Sequence, residues 1–230
     1  MSIEQYSVNV GGVLTTTADG KRTYWVGGTN WATANLTIAN STLNTGMMIA
    51  SDPTNAEMFF KWQSLIGMYG GAAPWSLLHD GTGLSPRPSS VDWKGVLAYH
   101  GSEDPCKNAG EFAGTGGVYN NGYWRQPTKE ESFVLVNLPD VKPQPGTTNI
   151  TYKKRLLLPT HDYLVWDDGR EQKTDESASY WTSTNDSAII TDKGERTGKG
   201  WSYFPFGKMI QPLNINYGFK VRCVRTNPNK

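Results

Sequence analysis

The sequence predicts a single α+β domain with two short helices, several short strands and much irregular structure. Two segments begin with helix-capping residues and continue with apolar residues at helical spacing, whereas residues near both ends of the chain alternate as strands do. The 25 glycines and 13 prolines indicate many turns. Only 37% of the 230 residues are hydrophobic, but nine Trp, eleven Tyr and seven Phe can build a core. Because no repeat or linker is visible, we expect one domain over residues 1–230.

The first 30 residues predict short strands joined by tight turns. Apolar or β-branched residues occur in runs of strand length, and glycine-containing pairs separate these runs. The runs are Tyr6 to Val10, Val13 to Thr17 and Thr23 to Val26, and the turns are at Gly11-Gly12 and Asp19-Gly20. Residues 1–22 fit either a strand of the domain or an arm that precedes it.

The first helix is predicted from Pro53 to Ile66. Asp52 can cap it, with Pro53 in the first helical position, and Thr54 with Glu57 offers a competing capping box. Gly67 would end it. The apolar face would consist of Met58, Phe59, Trp62, Leu65 and Ile66.

The second helix is predicted from Lys129 to Leu138. Thr128 and Glu131 have the spacing of a capping box, and Pro139 stops the helix. Its apolar face would consist of Phe133, Val134 and Leu138. Leu156 to Leu158 then predicts a short buried strand.

Near the C-terminus, two sequence runs with strand-like patterns flank a polar and aromatic segment that shows no helical periodicity. The first run is Tyr180 to Thr184 and the second is Asn216 to Arg225. The second run predicts a half-buried strand, with Phe219, Val221 and Cys223 on one face and Lys220, Arg222 and Arg225 mostly on the other. We expect the segment between the runs to be a displayed surface. Among its aromatic residues, Trp181 and Trp201 are assigned to the core, and Tyr203, Phe204 and Phe206 are left between core and surface.

Composition excludes several classes of function. With 22 basic and 21 acidic residues and no basic block, neither nucleic acid nor an anionic membrane is an expected partner. No apolar run approaches the roughly 18 residues of a spanning helix, so membrane insertion is not expected. The N-terminus lacks the features of a signal peptide. Such a protein could reach the outside as a virion protein on lysis, or the sequence could begin after a leader.

No sequence motif predicts a metal, a cofactor or a catalytic group. Residues 194–200 lack the spacing of a phosphate loop, and His79, His100 and His161 are isolated. The acidic residues Asp167, Asp168 and Glu171 fit a solvated turn better than a calcium loop. The spacing of Cys106 and Cys223 is compatible with a disulfide or with two buried thiols.

Seven motifs in order resemble those of a known family. They are WATANL from Trp31, AEMFFKWQ from Ala56, DPC from Asp104, GYWRQPTKEE from Gly122, LLLPTHDY from Leu156, SYWTST from Ser179 and YGFKVRCVR from Tyr217. Over about residues 24–225 the chain resembles the Fibrobacter succinogenes major paralogous domain, abundant in surface proteins of Bacteroidetes. The resemblance implies a C-type lectin-like fold of the formylglycine-generating-enzyme branch, with two helices flanking a small twisted antiparallel sheet. It also implies a Cys106–Cys223 disulfide.

The same fold carries the variable proteins of diversity-generating retroelements, which include phage receptor-binding proteins. In them the segment between the two C-terminal runs is diversified at adenines, and the resemblance implies a non-enzymatic receptor-binding or adhesion protein. It would act on a virion or bacterial cell surface, bind a protein or glycan on a partner cell, and need no cofactor. The candidate contact residues are Asn185, Asp186, Ser202, Phe204, Phe206, Lys208, Gln211, Leu213, Asn214, Ile215 and Asn216.

Two alternatives stay open. One is a fixed structural or adhesin module of a bacterial surface protein, in which the segment from Asn185 to Asn216 would not vary. The other is an enzyme of the formylglycine-generating type. That enzyme needs a closely spaced C-terminal cysteine pair, whereas this region contains only Cys223. Calcium-dependent sugar binding is not expected either, because Gln211-Pro212-Leu213 lacks the acidic residue of the lectin motif.

Overall fold

A computed structural model describes residues 7–21, 23–40, 45–50, 52–54, 58–64, 67–69, 78–79, 104–109, 124–164, 171–172, 179–191 and 196–225. Over these ranges the chain is mostly β, with one α-helix, α1 (Lys129–Asn137), and a 3₁₀ helix (Pro105–Asn108). The strands are β1 Ser7–Val10, β2 Val13–Thr16, β3 Thr23–Val26, β4 Thr29–Ala32, β5 Leu36–Asn40, β6 Thr45–Ile49, β7 Met58–Phe60, β8 Gly67–Tyr69, β9 Leu78–His79, β10 Trp124–Arg125, β11 Val141–Pro143, β12 Asn149–Tyr152, β13 Leu156–Pro159, β14 Tyr163–Leu164, β15 Glu171–Gln172, β16 Tyr180–Asn185, β17 Ile189–Ile190, β18 Arg196–Thr197, β19 Lys199–Phe204, β20 Met209–Asn214 and β21 Val224–Arg225.

These strands form several small antiparallel sheets. A four-stranded sheet has the order β1-β4-β21-β10, and three-stranded sheets are formed by β7-β8-β9, β11-β12-β13 and β16-β19-β20. β1 is therefore a strand of the domain, whereas β2 and β3 pair only with each other as a hairpin. The strand predictions near the N-terminus and at Leu156 to Leu158 are confirmed.

Helix α1 confirms the second predicted helix. The hydroxyl of Thr128 accepts a hydrogen bond from the Glu131 N–H at 3.3 Å, and the Glu131 carboxylate accepts one from the Thr128 N–H at 2.8 Å. Both carboxylate oxygens also accept bonds from Arg125, at 2.6 and 2.7 Å. Burial alone would raise the pKa of Glu131, but these bonds outweigh it and hold the pKa below its ordinary value.

The predicted apolar face of α1 is wrong. The helix buries Ser132, Leu135 and Val136 against the β-structure, at positions i, i+3 and i+4. Phe133 and Val134 are 59% and 47% exposed. The capping box determines where the helix begins, whereas the sheet on which the helix packs determines which face of the helix is buried.

The first predicted helix is also wrong, and with it the two-helix α+β fold. Met58, Phe59 and Phe60 form β7, which pairs with β8, and all three side chains are at most 1% exposed. Three consecutive buried side chains need cover on both faces, which a strand between layers obtains and an amphipathic helix does not. Upstream, the Asp52 carboxylate accepts bonds from the N–H and hydroxyl of Thr54 at 2.8 and 2.7 Å, which closes a local turn instead of capping a helix.

From Gly218 to Arg225 the C-terminal run is buried on both faces, not half-buried as predicted, and its regular strand is limited to β21. Lys220 and Arg222 are as inaccessible as the neighbouring Val221 and Cys223. The Arg222 guanidinium donates to Asn35 Oδ1 at 2.8 Å and to two backbone carbonyl oxygens, and burial lowers its pKa. Polar side chains can be buried here because carbonyl oxygens satisfy their donors.

The core consists of two clusters of buried apolar side chains. One surrounds Trp181, Phe60 and Phe219 and includes the disulfide between Cys106 and Cys223, whose Cα atoms are 5.7 Å apart. The other surrounds Trp31, Tyr180 and Tyr203 and receives the inward face of α1. Trp181 is fully buried as predicted. Trp201 is only half-buried, with the Lys129 ammonium 4.3 Å from its ring centroid, so its assignment to the core is wrong.

Candidate functional site

The segment between the two C-terminal runs, which the sequence predicts to be a displayed surface, contains the hairpin β19–β20. This hairpin forms the accessible edge of the segment. Its pairs run from Lys199 opposite Asn214 to Phe204 opposite Met209. β20 has a strand neighbour on one side only in the described sheet, and Pro212, which cannot donate a backbone hydrogen bond, fits such an edge. Side chains from 210 to 214 are half-buried and Met209 is 52% exposed. A partner can therefore reach this strand.

The two faces of the hairpin have different neighbours. Side chains alternate across the sheet, so one face carries Ser202, Phe204, Gln211 and Leu213, and the other carries Trp201, Tyr203, Ile210 and Pro212. The second face packs against α1. The first face borders an aromatic cavity.

This cavity, which we call the aromatic pocket, has a volume of about 170 Å³ and is lined by Tyr163, Ser179, Phe204, Leu213, Tyr217 and Phe219. Tyr217 stacks on Phe219 with ring centroids 5.4 Å apart, and Tyr163 meets both rings edge-on at 6.0 and 6.1 Å. Phe204 lies edge-on to Phe219 at 6.5 Å. The pocket is therefore walled by rings, and none of the described residues that line it is charged.

Ser179 is the exception in this apolar lining. Ser179 is 1% exposed, and its hydroxyl has no hydrogen-bond partner among the described residues. The backbone is fixed, since the Ser179 carbonyl accepts a bond from the Lys220 N–H at 3.1 Å. The pocket thus combines aromatic walls with one unpaired hydroxyl.

Buried aromatic residues support the pocket and the hairpin from beneath. We call this group, Trp62, Trp181 and Phe219, the base. The indole N–H of Trp181 donates to the Phe60 carbonyl at 2.8 Å, and that of Trp62 donates to the Thr182 carbonyl at 2.8 Å. Trp181 also packs on Phe219, with ring centroids 4.5 Å apart. Hydrogen bonds from Trp N–H groups fix ring orientation as well as depth, so the pocket wall has a defined position.

The structure groups several predicted contact residues around this face. Phe204 and Leu213 line the aromatic pocket, and Gln211 lies on the same face of β20. Phe206 is 37% exposed in the hairpin turn. Lys208, in the same turn, borders a separate groove of about 510 Å³ between α1 and the hairpin.

The predicted asparagine and aspartate positions lie at the far end of the hairpin. Asn185 and Asp186 are exposed, and the Asn185 amide bonds both backbone groups of Ala188, which shapes the turn after β16. Asn214 and Asn216 are half-buried; Asn214 Oδ1 accepts a bond from the Asn216 N–H at 2.9 Å. The Asn185 and Asn214 side chains bond to backbone groups of turns, and none of the four side chains lines the aromatic pocket.

Two predicted contact residues are buried and are corrected here. Ser202 is 0% exposed because it lies on the central strand β19, where its hydroxyl donates to the Gln211 carbonyl at 3.0 Å. Ile215 is 0% exposed and belongs to the core around Trp181. Sequence reasoning also missed four pocket residues, Tyr163, Ser179, Tyr217 and Phe219. Their only signal was their place inside three of the seven motifs.

Within the described ranges, no three His, Cys, Asp or Glu residues are grouped so that they could hold a metal ion. His161 Nδ1 lies 3.0 Å from Asp162 Oδ2. Arg196 is buried beneath the hairpin, and burial lowers its pKa to about 10. His100, Asp167 and Asp168 lie outside the described residues, and the side chains of His79 and Glu171 are also outside them.

Comparison of the chain with family models, with curated proteins and with solved structures finds no match. In the part of the chain that the structure describes, no helix is long and apolar enough to cross a membrane. The described site brings together aromatic rings, a buried hydroxyl and the Gln211 amide at an edge strand.

Proposed function

We propose that the chain is a non-enzymatic binding protein that presents the β19–β20 hairpin and the aromatic pocket to a partner macromolecule, a protein or a glycan. The observation that carries the proposal is an aromatic pocket beside an accessible edge strand. Recognition surfaces draw most of their affinity from a few aromatic anchors, and polar neighbours set specificity. Phe204 and Tyr217 would be such anchors, and Gln211 such a neighbour.

The base beneath this surface supports display as the mechanism. Trp181 and Phe219 are buried and pack on each other, whereas on the hairpin Phe206 is exposed and Gln211 is half-buried. Outward side chains could change without moving the base. Such a division is what a surface that varies from copy to copy requires.

The state of the cysteines supports binding over formylglycine-generating chemistry. Both cysteines of the chain, Cys106 and Cys223, are joined in a disulfide, and both are fully buried. A catalytic cysteine acts as an accessible thiolate. A disulfide is also typical of oxidising surroundings, which agrees with a place on a virion or bacterial cell surface.

Direct binding to cells tests the proposal. The labelled full chain is titrated onto intact bacterial cells of the source community and read by flow cytometry. We expect Phe206→Ala with Gln211→Ala to weaken binding at least tenfold at an unchanged melting temperature. The matched control, Asp140→Ala with Lys142→Ala, changes two exposed residues near β11 and should bind as the unchanged chain does. If both variants lost cell binding equally, or if neither lost it, the result would contradict the proposed surface.

The resemblance to variable proteins of diversity-generating retroelements leads to a second test. The source genome would contain a near-copy of the codons for Tyr180 to Arg225, differing at adenines and lying beside a reverse transcriptase gene. Finding it would support a diversified surface, with the differing codons marking the contact residues. Finding no such copy in a complete genome would favour the alternative, a fixed adhesin or structural module.

A further inference from the structure

The unpaired hydroxyl of Ser179 is the feature of the pocket that apolar packing does not explain. Buried polar groups are nearly always hydrogen-bonded, and one left unmade costs free energy on folding. Ser179 lines a cavity whose other described walls are Tyr163, Phe204, Leu213, Tyr217 and Phe219, and its buried hydroxyl has no partner there. A ligand that enters the cavity can supply the missing partner.

The size of the pocket limits what can enter it. Its volume is about 170 Å³, and a cavity of about 150 Å³ takes up a benzene molecule. One six-membered ring therefore fills the space, and a fused or branched group would not be enclosed. The half-buried side chains of Tyr163, Phe204, Leu213 and Tyr217 place the opening at the surface.

We infer that the aromatic pocket receives the phenol ring of a tyrosine side chain from a partner protein, with the phenol hydroxyl bonded to Ser179. This inference rests on the proposed function. The ring would meet Tyr217 and Tyr163 in the stacked and edge-on geometries that aromatic pairs prefer. A hydroxyl can both donate and accept, so it pairs with the Ser179 hydroxyl in either direction.

The pocket lining favours this occupant over others of similar size. A sugar ring carries several hydroxyl groups, and most of them would face carbon here, which is costly for a buried polar group. A charged group would find no opposite charge among the lining residues that the structure describes. A phenylalanine ring would fit but leave Ser179 unpaired. β20 borders the pocket through Leu213, and edge strands pair with extended partner chains, which favours a protein partner.

Two small probes that differ by one hydroxyl test the inference. p-Cresol reproduces the tyrosine side chain and toluene the phenylalanine side chain, and methyl glucoside represents a sugar ring. Each is titrated into the full chain, and amide chemical shifts of residues 217–219 are followed by NMR. We expect p-cresol to bind about tenfold more tightly than toluene, since one buried hydrogen bond is worth about that factor. Methyl glucoside should bind more weakly than both.

A variant without the Ser179 hydroxyl distinguishes a hydrogen bond to Ser179 from general apolar binding in the pocket. Ser179→Ala should abolish the preference for p-cresol and leave toluene binding unchanged or tighter. Ser202→Ala is the matched control, because that serine is equally buried but already bonded to Gln211 and does not line the pocket. It should keep the preference. Circular dichroism confirms that both variants fold.

The outcomes separate failure of this inference from failure of the proposed function. Equal affinity for p-cresol and toluene, a preference that survives Ser179→Ala, or tighter binding of methyl glucoside would overturn the inference. If cell binding still depended on Phe206 and Gln211, the proposed binding function would stand without it. A confirmed p-cresol preference, with cell binding insensitive to the hairpin, would instead leave a phenol pocket and reject the proposed surface.

Discussion

Removing the disulfide should cost the protein a large part of its stability. The variant is Cys106→Ala with Cys223→Ala; alanine is chosen because both sites are fully buried and serine would bury an extra hydroxyl. The bond links the 3₁₀ helix to the C-terminal run that contains Phe219, so it closes a loop of 117 positions in a chain of 230 residues.

The magnitude follows from the length of that loop. In the chain-entropy model a cross-link between residues separated by 117 positions restricts the unfolded chain by about 5 kcal/mol. A domain is usually stable by about 5–15 kcal/mol in total, so the variant should lie close to the limit of folding. The cross-link acts on the unfolded state, and its loss should also make that state more expanded.

Urea denaturation followed by tryptophan fluorescence measures both effects. We expect the midpoint to fall sharply and the denaturant slope to rise, because a more expanded unfolded chain exposes more surface. Reducing the unchanged protein in denaturant and refolding it under reducing conditions should give the same stability as the variant. A loss below about 2 kcal/mol, the low end for native disulfides, would refute the entropic account of this bond.

Three further predictions concern the core, the helix cap and the hairpin. Trp181→Ala should lower the free energy of unfolding by about 3–5 kcal/mol in the same urea assay, since it truncates a fully buried ring. Glu131 has a lower pKa in the folded than in the unfolded state, so its contribution to stability is present above its ordinary pKa of 4.5 and is lost as the pH falls through the folded value. Glu131→Gln should therefore be less stable near neutral pH, and its melting temperature should fall less on acidification. Gly200→Ala should destabilise the hairpin by about 1–3 kcal/mol, because a Cβ there would lie 2.6 Å from the Trp62 ring; Gly207→Ala, which meets only the Met209 methyl at 3.0 Å, is the control and should unfold at nearly the unchanged urea midpoint.

Local signals in the sequence predicted what local interactions determine. The capping box of Thr128 and Glu131 fixed the start of α1, and Asp19-Gly20 fixed the turn between β2 and β3. The helix prediction for the segment around Phe59 was wrong because the spacing of its apolar residues fits both an amphipathic helix and a strand buried on two sides. Which of these forms depends on pairing with residues 67–69 and with Phe219, and such pairing is set by the whole fold.

The candidate site was predicted in part for the same reason. Phe204 and Leu213 were among the contact residues that the family resemblance implied, and they line the pocket. Ser202 was misplaced because its exposure depends on which strand is central, and Ile215 because the turn after β20 returns it to the core around Trp181. The sequence of the segment contains neither piece of information. Tyr163 comes from a separate part of the chain and could be joined to the site only by the three-dimensional structure.

The buried cations explain how the site can be both displayed and fixed. Lys220 donates to the carbonyl of Asp162, next to the pocket residue Tyr163, and Arg222 donates to the side chain of Asn35. Each bond ties a distant segment to the run that carries Phe219, and a buried cation that lost all of its acceptors would be strongly unfavourable. The base of the pocket is therefore held by polar contacts directed away from its opening. Changes on the outward face of the hairpin touch none of these contacts, which is the physical condition for altering specificity without altering the fold.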